Sequence, residues 1–162
     1  MVTVSSQSLA LHPFLRVRLD DPEFRRGGFR VDRAYYQSKL AQVVYTRWLG
    51  ERYADAAVTA NCIRVTNVKV DLSRYPALSP VYRRLYRIKT RFAISPSAMA
   101  EVYRWLALSA DVAGVSGAYV DRRRRRVRAG RYAEDPANAR AVMRVTERYV
   151  PGVFDAAGEP GL

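Results

Sequence analysis

With 162 residues, 49% of them hydrophobic, the chain carries enough apolar material for one core, and its composition excludes a disordered or fibrous protein. A single cysteine, Cys62, and a single histidine, His12, exclude an internal disulfide, a cysteine-rich zinc site and a His-rich metal centre, so no metal is expected. The formal charge of +13 raises nucleic acid as a partner. Yet the arginines are spread along the whole chain, and no helix-turn-helix, zinc-finger or RNA-binding aromatic motif surrounds the one dense run, "DRRRRRVRAGR" at Asp121 to Arg131. A solvated basic segment is therefore expected in preference to a nucleic-acid site, with an anionic cofactor phosphate as a third, unassigned partner.

The elements follow in chain order. "VTVS", Val2 to Ser5, is a short β-branched strand that starts almost at the first residue. A long polar loop with Pro13, Pro22 and Gly27-Gly28 as breakers runs from Gln7 to about Val31. Asp32 is placed to cap a helix whose apolar stripe is Leu40, Val43, Val44 and Trp48 and which ends before Ala54 to Ala57. "VTANCIRV", Val58 to Val65, reads as a buried strand, and a short amphipathic helix is expected near Val81 to Thr90. Ser95-Pro96 gives an N-cap followed by proline at the first helical position, opening a helix that reaches Ser109. A last strand falls at Ala118 to Asp121, a helix at Pro136 to Tyr149, and residues 151–162 form a Gly/Pro-containing flexible tail behind one domain spanning residues 1–150. Strands alternating with helices predict an α/β fold with parallel strands. The apolar runs are far shorter than the roughly 20 residues of a membrane span. No basic segment precedes an apolar stretch at the N-terminus, so the expected address is cytoplasmic.

"YYQSK" at Tyr35 to Lys39 carries the chemistry. Four residues on a helix bring two side chains to one face. An ammonium held beside a phenol favours the phenolate, which is a route to a general acid/base near neutral pH. Tyr36 adjoins Tyr35 but lacks the offset to Lys39. The plain alternative is that Tyr35 and Lys39 are ordinary first-turn residues and Ser6 a strand-end hydroxyl.

Taken in order, "VSS" at Val4 to Ser6, "YYQSK", "LAQVVYTRWL", "VTANCI" and "LALSADVAGVSGAYVD" resemble the C-terminal half of a short-chain dehydrogenase/reductase, nearest to its retinol-dehydrogenase-like members. The resemblance runs from Val2 to about Tyr149. It implies the C-terminal part of a doubly wound Rossmann-like parallel sheet, with the N-terminal nucleotide-binding βαβ units absent from this chain, and a carbonyl/alcohol oxidoreductase that uses NAD or NADP. By the same resemblance Ser6 hydrogen-bonds the substrate oxygen, Tyr35 exchanges its proton, and Lys39 binds the nicotinamide ribose, so that Tyr35 and Lys39 are also the cofactor-binding residues; the substrate is a small alcohol or carbonyl. Two departures stand out. Val65-Thr66 replaces the family's Pro-Gly, and Val70 replaces the threonine that contacts the cofactor amide. No Gly-rich turn precedes Ser6, and Gly27-Gly28 lies in a polar loop without strand-turn-helix context, so the short chain is expected to be a truncated form that associates with itself through the open edge of Val2 to Ser5. A cofactor-independent cyclase or isomerase on the same scaffold and a non-catalytic interaction module are the alternatives.

Overall fold

The computed structural model describes residues 1–74, 76–77 and 79–152. Three parallel strands, β1 (Val2–Ser6), β2 (Asn61–Val65) and β3 (Tyr119–Val120), form one sheet in the order β1-β2-β3. Val2 stands opposite Asn61 and Ser6 opposite Val65, while Cys62 and Ile63 stand opposite Tyr119 and Val120. Helices α1 (Val31–Arg52), α2 (Pro80–Lys89), α3 (Pro96–Leu108), α4 (Arg131–Glu134) and α5 (Pro136–Tyr149) connect and follow the strands. The fold is the expected α/β one, with a small parallel sheet covered on both faces.

Strand alternation explains the two cores. Cys62 and Tyr119 point to one face, where they pack with Leu40, Val43, Val44 and Trp48 of α1 and Val142 and Met143 of α5. Ile63 and Val120 point to the other, against Met99, Val102 and Leu106 of α3. A buried Asn61 ties the sheet to the segment entering β3: its amide donates to the Val115 carbonyl at 2.7 Å and its carbonyl oxygen accepts from Ala118 N at 3.0 Å. Beside it, a Cβ on Gly50 of α1 would lie 2.4 Å from Gly117 N, so helix and turn meet there backbone to backbone.

The local signals placed several elements well. Ser95 Oγ accepts from Ala98 N with Pro96 at the first position of α3, as the capping pattern predicts. Others are corrected. Asp32 is not the N-cap of α1: Arg30 holds that position, and Asp32, one residue into the helix, pairs with the Arg30 guanidinium. The second strand begins at Asn61, not Val58, and the third spans only Tyr119–Val120 because Asp121 turns the chain. Gln7–Leu11 is a 3-10 helix, not loop. Residues 153–162 of the expected tail lie outside the described residues. Among the described residues no helix is long and apolar enough to cross a membrane.

The candidate active site

The C-terminal end of β1 delivers Ser6 to the mouth of a cleft of about 920 Å³, and the first two turns of α1 deliver Tyr35 and Lys39 to the same cleft. All three predicted site residues thus share one space. Lys39 Nζ sits 5.9 Å from the centroid of the Tyr35 ring and donates to the Val4 carbonyl at 3.2 Å. Tyr35 is 44% exposed, with its ring edge-on to Tyr36, whose own ring packs 4.1 Å from that of His12. Both tyrosines line the cleft, but Tyr36 is also packed against the core, whereas Tyr35 is the more exposed of the two.

Ser6 is more constrained than a free strand-end hydroxyl. Its Oγ accepts from Ser8 N at 3.3 Å, capping the Gln7–Leu11 turn, and lies 2.7 Å from Ser8 Oγ. No hydrogen bond joins Tyr35 to Ser6 among the described residues, so a ligand oxygen between them would have to complete that link. Ser5 ties strand to helix, its Oγ donating to the Lys39 main-chain carbonyl at 2.9 Å.

Three neighbours of the site carry no sequence signal of their own. Tyr119 OH donates to the Ser6 carbonyl at 2.9 Å, and burial pushes its phenol up to about 12, so it stays a donor and fixes the end of β1. Thr66, where the resemblance placed a departure, donates to Gln7 Oε1 at 2.6 Å and closes the floor between β1 and β2. Tyr86 OH accepts from Val70 N at 2.9 Å, bringing α2 over the cleft. Cys62 is buried under the sheet, and burial pushes its thiol up to about 11, which makes it a packing residue.

The residues at the cleft fit the reactive end of a nicotinamide cofactor: a phenol and an ammonium on one helical face, beside a hydroxyl. The phosphate end is a different matter. Among the described residues, Gly27 and Gly28 lie in an irregular segment, with the guanidinium groups of Arg18 and Arg33 facing Gly28. No Gly-rich strand-turn-helix is present there to bring a pyrophosphate onto a helix N-terminus.

The basic run is exposed from Arg122 to Arg126, yet it is folded rather than loose. Asp121, buried at its root, accepts from Arg123 N at 2.8 Å, from Arg125 N at 3.1 Å and from the Arg125 guanidinium at 2.9 Å. Burial raises the Asp121 carboxyl, but these donors outweigh it and hold the group below the usual carboxylate range.

Comparison with known proteins places these features in context. No family model matches the chain. Retinol dehydrogenase 13 of Mus musculus is 28% identical over a 168-residue alignment, covering 98% of this chain and 47% of its own length. Retinol dehydrogenase 13 of Homo sapiens is 28% identical over 157 residues, with 91% and 45% coverage. Retinol dehydrogenase 14 of Mus musculus is 35% identical over 86 residues, covering 52% of this chain and 26% of its own length. A short chain dehydrogenase from Salmonella enterica superposes with a TM-score of 0.45 at 20% identity, covering 75% of this chain and 40% of its own. The chain spans about half the length of the curated relatives it matches most fully. In sequence the chain is similar to retinol dehydrogenases, in line with the resemblance its motifs carry to short-chain dehydrogenases/reductases.

Proposed function

We propose that this chain is the substrate-side part of an NAD(P)-dependent oxidoreductase that interconverts an alcohol and a carbonyl, with Tyr35 as the acid/base. The observation that carries the reading is that Ser6, Tyr35 and Lys39, from β1 and α1, line one cleft with Lys39 over the Tyr35 ring. A bound nicotinamide supplies hydride exchange with the substrate carbon. The Tyr35 hydroxyl gives a proton to the carbonyl oxygen during reduction and takes it back during oxidation. Ser6 Oγ, released from Ser8, hydrogen-bonds the same oxygen and orients it. Lys39 holds the tyrosine face of the cleft positive and offers donors to the cofactor's ribose hydroxyls.

Binding of the dinucleotide phosphates is assigned to sequence outside these 162 residues. Main-chain geometry fits this division. Asn61 N donates to the Met1 carbonyl, and because bonding groups alternate along a parallel strand, Val2 and Val4 direct theirs away from β2. Among the described residues that edge pairs with no strand, its Val4 carbonyl being met only by Lys39 Nζ, and it is where the short chain associates with a second copy. The test is calorimetric titration of NAD(H) and NADP(H) into the chain and into a version extended upstream by a Gly-rich βαβ segment, with sedimentation to report size. Binding only by the extended, monodisperse protein is expected. Micromolar binding by a monomeric short chain, worth about −8 kcal/mol, contradicts the division.

A further inference from the structure

Behind the cleft lies a second, smaller pocket of about 220 Å³, walled by Arg64, Arg122, Arg123 and Arg125 with Gln7 and Thr66. Gln7, Arg64 and Thr66 line both spaces, so the two adjoin across a shared wall. Arg64 is the register partner of Ser5 on the neighbouring strand, one position from the residue opposite Ser6. It is half-buried, and its guanidinium has no hydrogen-bond or ion-pair partner among the described residues. The one carboxylate of the pocket, Asp121, is committed to Arg125 at 2.9 Å and to the main-chain amides of the turn. The Arg122 and Arg123 side chains likewise have no hydrogen-bond or ion-pair partner among the described residues. Three guanidinium groups therefore surround one small space without compensating charge, on a turn that Asp121 holds in shape.

We propose that this pocket binds the phosphate of a phosphorylated alcohol or carbonyl substrate whose reacting carbon lies in the Tyr35 cleft. The assignment rests on the oxidoreductase reading for the second half of that statement and on the arginine pocket for the first. Planar guanidinium groups match phosphate oxygens in paired hydrogen bonds, and a dianion balances several uncompensated cations better than a neutral group does. Thr66 donates its hydroxyl to Gln7 Oε1 at 2.6 Å, which orients the Gln7 amide nitrogen as a further donor on the wall between the pockets. A neutral alcohol such as the retinol in the relatives' names has no group to place there. The pocket thus distinguishes the substrate class.

The experiment titrates inorganic phosphate and butyl phosphate into the 162-residue chain by calorimetry at fixed ionic strength. Saturable binding is expected, weakened at least about tenfold by Arg64→Gln and by Arg123→Gln, the second at an exposed position where folding is not at stake. Arg140→Gln with Arg144→Gln, exposed on α5, removes twice the charge of either single variant and is expected to change affinity by no more than about twofold. Tyr35→Phe should bind phosphate as the parent does, so failure of the acid/base reading and failure of the phosphate pocket give different results. Absence of saturable binding, or equal weakening by the α5 pair, overturns the proposal.

Discussion

Lys39 Nζ donates to the main-chain carbonyl of Val4 at 3.2 Å, joining the helix that carries Tyr35 to the edge of the strand that ends in Ser6. That carbonyl faces away from β2, so the ammonium satisfies a group that the sheet does not. The contact fixes the lysine over the Tyr35 ring and makes one side chain serve both edge and cleft.

Replacing Lys39 by methionine therefore separates chemistry from stability. Activity of a dinucleotide-binding form is expected to fall about 10²-fold, the lower end of what acid/base catalysis contributes. Stability should change by no more than about 1 kcal/mol, because water can reach the freed Val4 carbonyl at an exposed residue. Steady-state kinetics and urea unfolding check the two halves independently. A large loss of stability would make Lys39 a structural clamp.

Gly50 tests the packing beneath the site. A methyl group there meets backbone atoms of Gly117 at 2.4 and 2.5 Å, which no side-chain movement relieves. Gly50→Ala is expected to destabilise the chain by about 1–3 kcal/mol although alanine favours helix. Thermal unfolding reads this directly, and an unchanged midpoint would mean α1 and the β3 turn separate at little cost.

The turn at Asp121 gives a pH dependence. Its carboxyl is lowered in the folded chain, so its contribution is fully present above the ordinary value of about 3.9 and is lost as pH falls through the lowered value. Asp121→Asn should cost about 1–3 kcal/mol at neutral pH and flatten that acid limb, because a buried acceptor of several N–H groups loses its charge. Amide hydrogen exchange at Arg123 and Arg125 should quicken in the variant. Unchanged exchange would show that the turn holds without the carboxylate.

These residues also show where sequence reading succeeds. Ser95-Pro96 announced α3 because capping is settled within four residues of chain. The shared face of Tyr35 and Lys39 followed from helical spacing alone. Asp32 misled, since an acidic residue suits the first turn as well as the cap. Arg64, Thr66 and Tyr119 gave no local signal, because their importance comes from strand register and from contacts with residues far away in sequence. The basic run is exposed, as a solvated segment is, and its folded shape comes from the bonds of Asp121 to Arg123 and Arg125, which composition does not show.

The most direct test of the account is the turnover of Tyr35→Phe in a protein that includes a dinucleotide-binding half, followed by nicotinamide absorbance. With a 44%-exposed ring, the loss of one hydroxyl should leave the fold intact while turnover at saturating cofactor falls by about 10²- to 10⁴-fold. Unchanged turnover in a folded, cofactor-binding Tyr35→Phe protein would contradict the assignment of Tyr35 as the acid/base.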